Sequence, residues 1–117
     1  MAKPSGDRKG RRAEHAAELL LRLKGYRILA RRFRCGLGEV DLIARRFSVI
    51  AFIEVKYRPS HEAAIEAIGA RQRLRIQAAA SAFLANHPQT ANLDCRFDVV
   101  LVGPTLLPRH IVNAWSA

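Results

Sequence analysis

The segment Gly38-Glu39-Val40-Asp41-Leu42-Ile43-Ala44-Arg45-Arg46 and its continuation Phe47-Ser48-Val49-Ile50-Ala51-Phe52-Ile53-Glu54-Val55-Lys56-Tyr57 decide the fold. In the first part Val40, Leu42 and Ala44 alternate with Glu39, Asp41 and Ile43, a period of two that predicts a strand over 39–44. Residues 49–57 are apolar and β-branched, as expected of a central strand. Arg45 to Ser48 is a short reversal. With Phe47 and Ser48 as the two loop residues, Asp41 falls directly opposite Glu54. Opposite residues share a face, with Cβ atoms about 4.5–5.5 Å apart. Lys56, two residues beyond Glu54, shares it too.

An apolar strand does not carry a carboxylate and an ammonium inside it without a reason, because unpaired buried charge is costly. Two carboxylates this close repel. Either one takes a proton or a cation sits between them. A hard divalent cation, Mg²⁺ or Mn²⁺, suits oxygen ligands beside a lysine. A loop longer by two residues would shift the register and keep the face, whereas a one-residue slip would separate the pair. Glu14 is a candidate for a further oxygen if its helix packs near the strand ends. Glu39 shares the face of Asp41 near the turn.

Outward from this hairpin, the rest of the chain supplies the other layers. Residues 1–10 read as a flexible basic arm, and 11–117 as a single domain. Ala13, Ala16, Ala17, Leu20, Leu21 and Leu23 recur at helical spacing and predict a helix over 11–24, closed by Gly25. Tyr26 to Phe33 predicts a strand, with Ile28 and Ala30 on one face, and 35–38 a turn. After Pro59 a helix is expected from about Ile65, or from Ala70 after a break at Gly69, to Asn86, with Leu74, Ala78, Ser81, Phe83 and Leu84 on its buried side. Residues 96–102 predict a fourth strand and 110–115 an edge strand. The order is α-β-β-β-α-β-β. It implies an α/β fold with a mixed central sheet, in which a three-strand antiparallel meander and a parallel crossover strand are flanked by helices.

Composition narrows the partners. The 117 residues hold 20 basic and 10 acidic side chains, for a net charge of +10, and a domain this basic suits a polyanion. Sixteen of the basic residues are arginine, whose planar fork matches phosphate. Arg31, Arg32, Arg34, Arg45, Arg46, Arg58, Arg71, Arg73 and Arg75 are the candidates for holding a nucleic-acid backbone. Aromatics make up only 7%, which disfavours a base-stacking single-strand platform. Cys35 and Cys95 form no C-x-x-C, and the four histidines show no zinc-hydrolase spacing. There is no phosphate-binding glycine loop and no G-x-S-x-G elbow. No apolar run spans a bilayer and no secretory leader is visible, so a cytoplasmic protein without a membrane partner is expected.

The Asp41…Glu54-Val55-Lys56 pattern resembles the PD-(D/E)-x-K nuclease site. More of the chain agrees. Gly10-Arg11-Arg12-Ala13-Glu14, Gly25-Tyr26-Arg27-Ile28-Leu29, Gly38 to Ala44, Phe52 to Arg58, Arg96-Phe97-Asp98-Val99 and His110 to Trp115 are together similar to the bacterial YraN-type family of predicted endonucleases. That family looks related to Holliday-junction resolvases and restriction endonucleases. The resemblance implies a restriction-endonuclease-like core. It implies Mg²⁺ held by Asp41, Glu54, the backbone carbonyl of Val55 and, as an optional further ligand, Glu14, with Lys56 as the motif lysine. The motif proline is Val40 here. Where the family often has lysine on the long helix, Arg71 is followed by Gln72, which puts a helix-borne phosphate contact or catalytic aid in doubt.

The expected activity is metal-dependent hydrolysis of phosphodiesters in DNA, selective for junctions or branches. Asp41, Glu54 and Lys56 are the catalytic residues. Flanking carboxylates favour the ammonium of Lys56 over the free amine, which suits an electrostatic stabiliser and water positioner. The competing reading is a non-catalytic nucleic-acid-binding module with a nuclease-like fold, acting in DNA processing or repair. A homodimer and a protein partner in DNA processing stay open.

Overall fold

A computed structural model describes residues 4–58, 68–104 and 107–117, with side chains from residue 10 onward. Helix α1 spans Pro4–Leu23. Strands β1 (Arg27–Cys35), β2 (Gly38–Arg46) and β3 (Val49–Tyr57) follow, then helix α2 (Ala70–Ala85), a 3₁₀ turn (Pro88–Thr90), β4 (Asp94–Val102) and β5 (Pro108–Trp115). One sheet runs in the order β1-β2-β3-β4-β5. Its first three strands form the antiparallel meander, β4 is parallel to β3, and β5 returns antiparallel at the edge. The expected order and mixed sheet are present.

The two helices cover opposite faces. Ala13, Ala17 and Leu21 of α1 form one core with Leu42, Ala44, Ala51, Ile53, Val100 and Val102. Ile76, Ala79, Ala80 and Phe83 of α2 form the other with Val40, Ile43, Ile50, Phe52, Phe97 and Val99. Gly25 closes α1 at φ 92°, donating to Arg22 O while Tyr26 N–H donates to Leu21 O. That pair of hydrogen bonds caps the helix as its glycine predicts.

Four expectations need correction. The helix starts at Pro4 instead of the expected Arg11, so residues 4–10 belong to α1. Proline is tolerated there because the first N–H groups of a helix have no intrahelical partner. Residues 1–3 lie outside the described residues, as does the start at Ile65 considered for α2. The buried face of α2 is Ile76-Ala79-Ala80-Phe83, while Leu74 and Ser81 are exposed. A run rich in alanine offers several similar stripes, and the helix uses the one whose small residues admit β2. A Cβ on Gly38 would overlap the Arg75 carbonyl and come within 2.7 Å of Ala79 N. In β1 a register irregularity between Ile28 and Ala30 puts Ile28 in the α1-side core and Ala30 in the α2-side core. In β2, Val40 joins the α2-side core although alternation would place it with Leu42.

Candidate active site at the fork of β2 and β3

The hairpin turn is the two-residue Phe47-Ser48 loop, with Phe47 at φ 54°, the left-handed geometry tight hairpins require. From it the β2–β3 ladder runs back to Leu42 opposite Ile53 and ends there. In that register the next pair is Asp41 and Glu54. Beyond it β2 stays paired with β1 alone, and Val40 lies in the α2-side core.

The gap is filled by a side chain. Asp41 Oδ2 accepts the Val55 N–H at 2.8 Å, in place of a ladder carbonyl. The Asp41 and Glu54 carboxyls lie within hydrogen-bonding reach of each other. Glu54 is buried, and Lys56 Nζ stands 3.4 Å from its Oε2. Gln72, on the first turn of α2, completes the group. Its Nε2 donates to Glu54 Oε2 and its Oε1 accepts from Lys56 Nζ at 3.4 Å.

Burial and the charge of Asp41 push the Glu54 carboxyl up to about 8, against the pull of Lys56. Burial also raises Asp41, assisted by the charge of Glu14 and opposed by the Val55 N–H, the Glu54 hydrogen bond and Lys56. Two carboxyls whose environments disfavour a double negative charge hold a proton between them at neutral pH, unless a cation takes its place.

Beside Asp41 opens a cleft of about 290 Å³ between α1 and the β1–β2 edge, lined by Gly10, Arg11, Glu14, Arg32, Arg34, Glu39, Val40 and Asp41. Glu14 faces it and is held by Arg32 at 2.9 Å. Arg32 itself sits at φ 49°, uncommon for a side-chain-bearing residue in a strand. Glu39 is flanked by Arg34 at 3.8 Å and Arg75 at 3.4 Å. Among the described residues, no third Asp, Glu, His or Cys joins the pair in a metal-sized cluster.

The structure thus brings Asp41, Glu54 and Lys56 together, with Glu14, Arg32 and Arg34 at the cleft beside them. Arg31 is occupied by Glu18 at 2.7 Å, in the neighbouring groove between α1 and β1. Arg58 donates to the carbonyl of Tyr57, and Arg71 is exposed near the start of α2. Arg46 donates to the Lys24 carbonyl and lies over the Tyr26 ring, while Arg73 donates to the Ile68 carbonyl over the Trp115 ring. Both brace the fold. Arg45 lies at the far end of β2, opposite Arg27, and lines a separate pocket with it.

Two residues of the site are not singled out by sequence reasoning. Arg11 lines the cleft, and its position three residues before Glu14 on one helix is the signal that could have found it. Gln72 stands out in the sequence only as a departure from a family pattern.

The description "Uncharacterised protein family UPF0102" matches residues 13–102. The chain belongs to the UPF0102 family. A UPF0102 protein of Paramagnetospirillum magneticum is 51% identical over 97% of this chain and 92% of its own length. A UPF0102 protein of Methylobacterium nodulans is 53% identical over 92% and 84%. One from Parvibaculum lavamentivorans is 51% identical over 92% and 81%. The part of the UPF0102 match from Gly38 to Tyr57 contains the whole fork.

Proposed function

We propose that this UPF0102 protein is a metal-dependent endonuclease that hydrolyses phosphodiester bonds in DNA, with a preference for branched or junction substrates. One observation carries the reading: Asp41 and Glu54 meet at a sheet fork, next to Lys56 and an arginine-lined cleft. A structural ion pair needs one carboxylate. Two buried carboxyls side by side, both held above their ordinary range, are a cost to the fold, and such costs concentrate at sites of chemistry. The YraN-type resemblance to PD-(D/E)-x-K nucleases and resolvases points the same way.

The donor set fits a hard divalent ion. Asp41 and Glu54 would supply charged oxygens, and the Val55 carbonyl a neutral one. Glu14 becomes available if Arg32 exchanges it for a phosphate. Bound Mg²⁺ or Mn²⁺ supplies Lewis acidity toward a phosphate oxygen and lowers the pKa of a water. The chain does the rest. Arg11, Arg32 and Arg34 bind and orient the backbone in the cleft. Lys56 positions the attacking water and faces the charge that builds on the phosphate. Water oxygen bonds to phosphorus as the bond from phosphorus to the leaving sugar oxygen breaks, and the proton that the water releases to solvent is balanced by the one that the sugar oxygen takes from it.

The test is a cleavage screen on labelled four-way junction, flap, duplex and single-strand DNA, run with Mg²⁺, Mn²⁺ or EDTA, beside Glu54→Ala. Metal-dependent cutting that the mutant lacks is expected. Tight DNA binding with no cutting under either metal would replace this reading with the non-catalytic binding module.

A further inference from the structure

Gln72 makes a contact that neither the motif nor the proposed mechanism uses. It stands on α2, 16 residues beyond Lys56 and 18 beyond Glu54, and touches both. The orientation of its amide is determined by its partners. Lys56 can only donate, so it must face the amide oxygen, which leaves the amide nitrogen for the Glu54 carboxyl. Both donors, Gln72 Nε2 and Lys56 Nζ, converge on one oxygen of Glu54, Oε2. The Gln72 amide makes its hydrogen bond to Oε2 and not to Oε1.

We propose that Gln72 is the positioning residue of this site: its amide clamps Glu54 and Lys56 into one unit and reserves Glu54 Oε1 for the metal. This rests on the reading of Asp41 and Glu54 as metal carboxylates. A carboxylate with both oxygens free can rotate, chelate through both, or pair wholly with its lysine. With Oε2 held from the α2 side, Glu54 offers a single oxygen toward Asp41, and Lys56 stays beside the site instead of folding across it. The clamp is carried by a rigid element. α2 packs backbone to backbone on Gly38 at the head of β2, so one helix fixes the strand that bears Asp41 and the amide that fixes Glu54. Partners of this kind, which orient a metal ligand without touching the metal, typically contribute 10–100-fold in metal affinity.

The experiment uses the full chain, with Mn²⁺ as probe and two readouts. The first needs no metal. In a ¹⁵N spectrum of the metal-free protein, the side-chain NH₂ of Gln72, assigned by its loss in Gln72→Met, should be displaced from free-amide positions and slow to exchange. It should return toward them in Glu54→Ala. The second is the Mn²⁺ dissociation constant by EPR. Gln72→Met keeps length and packing while removing both hydrogen bonds, and it should weaken Mn²⁺ about 10–100-fold with little change in thermal midpoint. Gln72→Lys can donate to Glu54 but cannot accept from Lys56. It should retain more affinity than Gln72→Met while slowing cleavage at saturating metal. A free-amide spectrum overturns the clamp. A displaced amide signal together with Mn²⁺ affinity within twofold of wild type in Gln72→Met overturns its role. If wild type and Asp41→Asn bind Mn²⁺ equally, the metal-site reading has failed and the proposal falls with it, an outcome recognisable without any Gln72 variant.

Discussion

Asp41 Oδ2 takes the backbone N–H of Val55 at 2.8 Å, so a side chain of β2 replaces a β2 carbonyl where the two strands part. The carboxylate therefore has a structural role beside the chemical one proposed for it, and two substitutions separate the two. Asp41→Asn keeps an acceptor for Val55 and removes a charge that burial disfavours. It should fold with wild-type or higher stability and lose metal binding and cleavage. Asp41→Ala also leaves the Val55 N–H without its partner, which costs about 1–3 kcal/mol. Urea midpoints of both variants check this. Equal loss of stability in both would mean that the hydrogen bond contributes nothing.

Glu54 makes the metal-free protein less stable as pH rises. Its folded carboxyl titrates near 8 against an ordinary 4.5, so between those values the folded state holds a proton that the unfolded chain has released. Stability then falls with increasing pH, most steeply across 5 to 8. Glu54→Gln cannot titrate and should flatten that slope. The observable is the wild-type minus Glu54→Gln difference in unfolding free energy at pH 5, 6.5 and 8 in EDTA, and a constant difference would contradict the shift. Saturating Mg²⁺ should abolish the wild-type slope by stabilising the ionised pair.

The hairpin was readable because two simple patterns, alternation in 39–44 and a β-branched run in 49–57, meet at a loop short enough to fix register. Register alone then paired Asp41 with Glu54. What resisted reading was every departure from regularity. A register shift near Leu29 accompanies the crossing of Ala30, the β2–β3 ladder ends at Leu42 before Val40 crosses, and neither leaves a compositional trace. The buried face of α2 is obscured by its alanines. Gln72 enters the site through tertiary packing that no local spacing encodes. Asp98 is different. It is a carboxylate inside the apolar run Phe97 to Val102, the same signal that singled out Glu54.

Asp98 is fully buried and saturated with donors. Arg96 grips both of its oxygens at 2.8 Å, His110 Nε2 lies 2.7 Å from Oδ2, and the Asn113 N–H reaches Oδ1 at 2.9 Å. Burial alone would raise its pKa, but the bonds from His110, Arg96 and Asn113 prevail and hold it below the usual carboxylate range. Its removal strands Arg96 and unpins β5. Asp98→Ala should cost about 3–5 kcal/mol, the loss expected when one member of a buried pair is deleted. At temperatures where the variant remains folded, Mn²⁺ affinity should be unchanged, because this cluster touches none of the fork residues. Calorimetry paired with EPR titration tests both halves.

Gly38 should be sensitive out of proportion to its size. A Cβ there would strike backbone atoms of α2, the Arg75 carbonyl and Ala79 N, which cannot swing aside as a side chain could. Gly38→Ala must push α2 away from β2, at a cost of about 1–3 kcal/mol. The displaced helix carries Gln72, so Mn²⁺ affinity should fall along with stability. Gly36, in the turn just before it, would have nothing within 4 Å of an added Cβ and provides the control. Loss of stability in Gly38→Ala with unchanged metal affinity would show that α2 moves without taking Gln72 along.

The arginines around Asp41 should differ from those that brace the fold in how salt affects them. Arg11 and Arg34 line the cleft, and Arg34 is exposed with only a 3.8 Å contact to Glu39. Truncating a side chain that holds one phosphate lowers the slope of log K against log salt by about 1, without changing sequence preference. Arg11→Ala and Arg34→Ala should each show that decrease in fluorescence-anisotropy titrations between about 50 and 200 mM salt, in EDTA so that cutting does not interfere. Arg46→Ala should keep the wild-type slope and instead lower thermal stability, because its guanidinium is engaged by the Lys24 carbonyl and the Tyr26 ring. If Arg46→Ala loses slope while Arg11→Ala and Arg34→Ala do not, nucleic acid binds elsewhere than the cleft beside Asp41, and the fork is not where the backbone is presented.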